Sequence, residues 1–424
     1  MYLPFCVYVF LVIVRPHEWV PALAGLPILP IPLLLAFAMW LFRADKTLTT
    51  AQHLAVPAFV VAAILSRIAM GWLSGAINAA EDLVPSLMFF AVAASLAEKP
   101  DDLERVLKTL CASTFVVAAH GLDQVFTDGV GWTGQALQAS GDAPPRIQYV
   151  GVFSDPNDLA MLFVACVPLC AYFARTASAS MRLVWLIGCG LLMYSVYLTN
   201  SRGGLLALLG VLLLFGALRL GKVATTTLAA LALPTLIAAT RLTGGLDTEE
   251  ESTAGRIDAW YTGLQLFEQN PLFGVGYGLF TDHNSLTAHN SWVLVFAETG
   301  FAGYMPWFTA TTISLLTLWR LRTAAPPSGD GALVATAARD RSLAESLFWS
   351  TLGMLIAAFF LSRSYNMLFF LLWAWSAGHG AGFAKREPSF PFIDLRSQFW
   401  RWVMLAVASI VAFYIVVRIL LVVL

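Results

Sequence analysis

About thirteen apolar runs, separated by short polar loops, constrain this chain more than any other feature. They lie near residues 1–14, 26–42, 54–73, 83–97, 106–126, 156–174, 183–199, 203–219, 223–240, 290–319, 345–362, 366–383 and 400–423. A helix crosses the hydrocarbon of a bilayer with about 20 apolar residues, and most of these runs approach that length. The first is short enough to be tilted or re-entrant. It lacks a basic leader and a small-residue cleavage site, so it reads as a retained segment. Composition agrees: of 424 residues, 58% are hydrophobic and only 12% charged, against roughly 25% charged in soluble domains. The expected fold class is all-α: a polytopic integral membrane protein with about 12–13 transmembrane helices. The formal net charge of −1 and the lack of a basic domain exclude nucleic acid as a partner.

Basic residues orient the runs. Arg43 and Lys46, then Lys99, Arg105 and Lys108, Arg175 and Arg182, Arg219 and Lys222 fall in every second loop. Arg320, Arg322, Arg339 and Arg341, then Lys385, Arg386 and Arg396, continue the alternation. By the positive-inside rule these loops are cytoplasmic. The remaining loops face outward, to the periplasm in a bacterium: 127–155, the turn at Arg202, the insert 241–289 and the turn at 362–366. The expected organisation is an N-terminal transmembrane bundle over 1–240, a large periplasmic loop carrying amphipathic helices over 241–289, and C-terminal transmembrane helices over 290–424, one membrane domain overall. The Pro-, Gly- and Ala-rich stretch 323–343 reads as a flexible cytoplasmic linker.

The outward set holds the residues able to do chemistry. Arg202, in Thr-Asn-Ser-Arg-Gly-Gly, interrupts apolar sequence; an arginine at mid-bilayer costs about 2.5–3.5 kcal/mol on insertion scales, so it belongs at the surface or in a wet cavity. The helix that starts there favours anions at its N-terminus. Arg256 opens a segment in which Ile257, Trp260, Tyr261, Leu264 and Phe267 recur at helical spacing until Asn270-Pro271. It reads equally as an anion ligand or as a partner of Asp258 or the acidic run Asp247–Glu251. Gly274, Gly276 and Gly278 read as a tight turn. His289 and Asn290 stand where the chain re-enters the membrane, with His283 a weaker competitor and Glu298 deep in the following run. Arg146 and the Asp155-Pro156-Asn157 turn complete the set. The five cysteines lie in apolar runs and read as small hydrophobes. The outer side lacks ligand spacings for a metal, so no metal and no cofactor is expected.

In order and sidedness, Ser-Arg-Gly-Gly at 201–204, Gly255-Arg256 with Trp260, Asn-Pro-Leu-Phe-Gly-Val-Gly-Tyr-Gly at 270–278, His289-Asn290-Ser291 and Glu298-Thr299-Gly300 resemble the O-antigen ligase and polymerase superfamily. Arg146 with Gly151 to Asn157 resembles its upstream motif. The resemblance implies a glycosyltransferase of the bacterial inner membrane with a periplasmic active site. It would move a glycan from an undecaprenyl-pyrophosphate donor to the lipid A–core oligosaccharide, among membrane lipids and without metal or nucleotide. It also implies that Arg202 and Arg256, and less directly Arg146, bind the pyrophosphate, and that His289 is the catalytic base. Asn290, Asp155 and Asn157 are secondary candidates. The chemistry fits: guanidinium forks suit phosphate oxygens, and an imidazole can accept a hydroxyl proton near neutral pH.

The same motifs fit an O-antigen polymerase. They also fit a protein O-oligosaccharyltransferase, since Arg15-Pro-His-Glu-Trp19 resembles the O-glycosylation ligases associated with exosortases. A transporter or flippase is the reading from another class. It calls for charges near the bilayer midplane and repeated broken helices, whereas the charges here cluster outside the runs.

Overall fold

In the computed structural model, thirteen α-helices carry most of the regular structure of the described residues. These are 1–140, 143–219, 253–325, 331–391 and 393–423, with isolated positions between 220 and 230. In order the helices are α1 (Tyr2–Val14), α2 (Pro30–Leu41), α3 (Ala51–Ala69), α4 (Leu73–Ala97), α5 (Pro100–Phe126), α6 (Pro156–Thr176), α7 (Ala179–Leu198) and α8 (Arg202–Arg219). They continue as α9 (Thr253–Gln269), α10 (Ser291–Arg322), α11 (Gly331–Ala358), α12 (Met367–Arg386) and α13 (Phe399–Val423). Between α5 and α6 lies a small antiparallel pair, β1 (Gln138–Ser140) and β2 (Ala143–Arg146).

Twelve of the thirteen apolar runs fall on these helices. The other, 223–240, lies outside the described residues but for isolated positions. Among the described helices, α3, α4, α6, α7, α8, α12 and α13 are long and apolar enough to cross a membrane, while α1 and α2 are apolar but shorter. α5, α10 and α11 are long but more polar; α5, for example, opens on Asp101 and Asp102. The chain is an all-α, multi-pass membrane protein.

One expectation fails. The stretch 323–343 is not linker throughout, because α11 begins at Gly331. Alanines dominate its first turns, and alanine is the strongest helix former. Arg339 then fixes the extended turn by pairing with Asp101 at 2.7 Å and Glu104 at 2.9 Å.

The chain divides into two compact units, each assembled from three stretches: Met1–Met39, Pro100–Gly245 and Ser328–Ala357 in the first, Trp40–Lys99, Leu246–Pro327 and Ala358–Leu424 in the second. In the first unit α1 packs along α5, and α6 packs on α5, α7 and α8. α6 is buried on nearly every face. Its Cys166 and Cys170 are buried with Cys111 of α5 as free thiols, as small hydrophobes would be.

In the second unit α10 packs on α3, and α12 packs on α4. Helices in lipid gain little from hydrophobic transfer, so close packing holds them. A Cβ on Gly378 of α12 would lie 1.9 Å from the Ala94 carbonyl oxygen of α4, and one on Gly382 would lie 2.0 Å from that of Glu98. This small-xxx-small spacing lets the two backbones touch. Gln52 of α3 reinforces the packing by reaching Ser314 of α10 and Ser376 of α12, each at 3.3 Å.

Basic loops gather at one end of each unit. In the second, Arg43 donates to the Ser95 side chain at 2.7 Å and Lys385 pairs with Glu98 at 2.7 Å. In the first, Arg219 pairs with Glu345 at 2.6 Å, beside which runs the Arg339 pairing. Replacing Gly378 with leucine overpacks the α4–α12 contact. The variant should lose at least the about 1–3 kcal/mol of an overpacked core, read as a fall in melting temperature of the detergent-solubilised protein.

Candidate active site

In the first unit, the candidate residues converge where β2, the start of α6 and the α7–α8 turn meet. Arg146 ends β2 and is nearly buried. Its Nε donates to the Thr199 carbonyl at 2.9 Å and its Nη2 to Asn157 Oδ1 at 3.0 Å. Asp155 caps α6 by accepting the Asn157 backbone N–H at 2.8 Å, and it also takes the Asn157 side-chain amide at 2.9 Å. The turn into α8 is equally fixed. Asn200 adopts the left-handed region at φ 48, which asparagine tolerates. Ser201 accepts the Gly204 N–H at 3.1 Å, a cap of the kind serine prefers. Arg202 is therefore the first residue of α8 and half-buried. The structure thus brings Arg146, Asp155, Asn157 and the Arg202 turn together. It shows Arg146, Asp155 and Asn157 as one hydrogen-bonded scaffold.

Two features here went unread in the sequence. The Arg15 guanidinium lies against Gly151, where an added Cβ would come within 2.0 Å of its Nε, and Arg15 pairs with Glu18. Tyr149 anchors the same segment by donating to the Val14 carbonyl at 2.7 Å. The Arg15–Trp19 motif is thereby packed onto the Gly151 loop. His120 is fully buried between Trp132 and Tyr149, both edge-on, and meets Thr133 at 2.8 Å. The sequence signal for it, a histidine in an apolar run, was present.

In the second unit, α9 is the expected amphipathic helix and serves as a brace. Ile257, Trp260 and Leu264 are buried, α9 packs on α10 and α13, and Trp260 meets Phe359 edge-on at 5.7 Å. Arg256 sits in its first turns, half-buried. Of the acidic partners the sequence offered it, Asp258 is exposed, while Asp247–Glu251 lie outside the described residues, as does the insert up to residue 252.

His289 adopts φ 47, a left-handed conformation in which histidine is enriched among non-glycine residues. The cause lies one residue on. Asn290 caps α10, accepting the N–H groups of Trp292 at 2.9 Å and Val293 at 3.1 Å, and donates to the Phe359 carbonyl at 3.0 Å. Ser291 donates to the Leu361 carbonyl at 2.6 Å and accepts the Arg363 N–H at 3.1 Å. Asn290 and Ser291 are buried anchors, and His289, half-buried, is the side chain they leave at the helix mouth. His283 is exposed.

The glycine-rich turn and Glu298-Thr299-Gly300 prove to be one object. α10 breaks at Gly300, φ 58 and ψ −162. A break strands backbone groups that must be paired again in a buried setting. The loop 271–276 pairs them: Val275 and Gly276 donate to the carbonyls of Ala297 at 2.9 Å and Glu298 at 2.8 Å. In return, Phe301 and Ala302 donate to those of Pro271 at 2.8 Å and Leu272 at 3.0 Å. The strands of backbone are in contact, since a Cβ on Gly274 would lie 2.4 Å from the Glu298 carbonyl carbon and one on Gly300 2.4 Å from that of Leu272. Glu298, buried, adds a side-chain clasp by accepting the Phe280 N–H at 3.1 Å. Its role is therefore to orient the loop.

Around that clasp stand residues the sequence reading passed over. Tyr277 donates its backbone N–H to Ser66 at 2.9 Å and meets Tyr365 edge-on at 4.6 Å. Burial and the carboxylates of Asp82 and Glu298 push the Tyr277 phenol well above its ordinary range. The Arg67 guanidinium lies 4.7 Å over the Trp72 ring, with its Nε and Nη1 buried and lacking a hydrogen bond. A charge inside an apolar run was the available signal for Arg67.

Gly274→Ala and Gly300→Ala each break the same backbone exchange. Each should cost about 1–3 kcal/mol, and the double variant should cost less than the sum, because the second substitution removes contacts already lost. Thermal melts of the two single variants and the double variant measure this.

No curated protein matches the chain. Residues 187–308 match the family model described as O-antigen ligase, a segment that runs from within α7 through α8 and α9 into α10 and includes Arg202, Arg256, His289 and the Gly300 exchange. The match supports an enzyme of the O-antigen ligase or polymerase type, acting on lipid-linked glycans in a membrane. Over residues 187–308 the chain is similar to the O-antigen ligase family, which its motifs resemble.

Proposed function

We propose that the protein is a glycosyltransferase of the bacterial inner membrane that transfers O-antigen polysaccharide from undecaprenyl pyrophosphate to the lipid A–core oligosaccharide, working at the periplasmic face. One observation carries the assignment of roles. The three candidates inside the matched segment all stand at helix starts: Arg202 is the first residue of α8, Arg256 is in the first turns of α9, and His289 immediately precedes the cap of α10. Unpaired N–H groups and the helix dipole make such positions favourable to anions, and guanidinium groups strengthen that preference.

The reaction follows from these groups. Arg202 and Arg256 hold the pyrophosphate oxygens, and Arg146 supports the turn that carries Arg202. His289 takes the proton of the acceptor hydroxyl as its oxygen attacks the anomeric carbon. The bond from that carbon to the pyrophosphate oxygen breaks, and undecaprenyl pyrophosphate leaves with the negative charge the arginines stabilise. One displacement inverts the anomeric configuration, and the step needs neither metal nor cofactor. The basic ends of both units are assigned to the cytoplasm by the positive-inside rule. A polymerase shares the donor and the step and differs in acceptor. The resemblance of the Arg15–Trp19 motif to O-glycosylation ligases keeps, as a second reading, transfer to protein serine or threonine.

With purified donor and lipid A–core acceptor, His289→Ala should reduce turnover by at least about 100-fold, the span of general-base catalysis, with donor affinity retained. Arg202→Lys and Arg256→Lys should weaken both donor binding and turnover, since lysine lacks the fork. Full turnover in His289→Ala overturns the base assignment. Product that extends the glycan in place of the core assigns the polymerase activity, and glycan on protein assigns the second reading.

A further inference from the structure

α6 and α7 form a hairpin whose two ends differ. One end carries Arg146, Asn157 and the Arg202 turn. At the other, about 30 Å away along the 21 residues of α6, stand Arg175 near the end of α6 and Arg182 in the first turn of α7. Both side chains are exposed. Nearby basic residues are paired: Arg219 with Glu345, Arg339 with Glu104 and Lys108 with Glu104. Among the described residues Arg175 and Arg182 form no such pair, so two exposed cations share this turn.

They share more than the turn. A cavity of about 620 Å³ opens between α6, α7, α8 and α11, and both arginines line it. Apart from Ser346, whose hydroxyl donates to the Leu343 carbonyl at 2.8 Å, the rest of its wall is apolar, including Val167, Ala171, Leu186, Met193 and Phe215. Its size falls within the about 300–1,000 Å³ of ligand sites. An apolar slot in the plane of a membrane with two exposed guanidinium groups at one mouth is complementary to an amphiphile with an anionic head and a hydrocarbon chain. Basic pockets between transmembrane helices take the heads of anionic lipids in this manner.

We propose that this groove binds one anionic phospholipid of the leaflet at the α6–α7 turn, its phosphate between Arg175 and Arg182 and one acyl chain along α6, α7 and α8. The site lies at the far end of the hairpin from the residues assigned to the donor, so it stands independently of the transfer reaction. A zwitterionic phospholipid fits the slot equally well but brings its own cation to the two arginines, so the head selects the lipid and the slot retains it.

Native mass spectrometry of the full chain in detergent tests this, with phosphatidylglycerol and phosphatidylcholine added separately. The intact protein should retain one phosphatidylglycerol under activation that strips phosphatidylcholine. The Arg175→Gln/Arg182→Gln double variant should lose about 30-fold of that preference, the effect of two cations at about 1 kcal/mol each, and the lysine double variant should keep most of it. Ala171→Trp, which fills the slot and leaves the arginines in place, should release both lipids. Equal retention of the two lipids by the intact protein overturns the proposal. So does an unchanged preference in the glutamine variant, retention by Ala171→Trp, or displacement of phosphatidylglycerol by an equal concentration of inorganic phosphate, which would mark a site for the free anion.

Discussion

The second unit depends on one exchange of backbone hydrogen bonds. A buried helix cannot be interrupted cheaply, because each stranded N–H or carbonyl in a dry setting costs on the order of 1–3 kcal/mol. α10 is interrupted at Gly300, and the loop 271–276 supplies the missing partners in both directions. The loop and the broken helix therefore exist only together. The exchange fixes the end of α9 against α10 and sets the span of chain that must close between Gly278 and Asn290. His289 inherits its place from that closure and from the Asn290 cap.

Helix starts are the recurring device in both units. Asp155 caps α6, Ser201 caps α8 and Asn290 caps α10. Side chains complete only part of each terminus, which by geometry presents four unpaired N–H groups. In the proposed reaction an anionic leaving group gains from fixed dipoles of this sort, because they need no reorganisation as charge develops.

Much of this was legible in the residues. The runs at 54–73 and 366–383 landed on α3 and α12 because apolar length is a strong signal, and Ile257, Trp260 and Leu264 announced α9 by their spacing. Helix caps were legible at Asp155 and Asn290, since short polar side chains before apolar runs mark N-termini. Other features were hidden. Glu298 was visible as a misplaced charge, but its partner, the Phe280 N–H, is a backbone group that no side-chain pattern reports. Gly274 and Gly300 lie 26 residues apart, and only the folded chain shows that one touches the other's neighbours. Arg146 was legible as an outward charge, but the Thr199 carbonyl it ties to is a backbone group that no side-chain pattern reports. The helical start of α11 was masked by Pro and Gly just before it, although the alanines that follow favour helix.

The interleaved assembly of the two units has a consequence for synthesis. The first unit draws on residues as late as 357, so it stays incomplete while most of the chain is translated. α11 brings the Ser350 hydroxyl that donates to the Ala165 carbonyl at 2.5 Å and the Glu345 carboxylate that neutralises Arg219. Until it emerges, α6 and α8 lack the helix that packs on them through Gly353, against Val164 and Val211. An N-terminal half made alone is thus an unfinished unit, the kind of species that quality-control machinery holds or destroys.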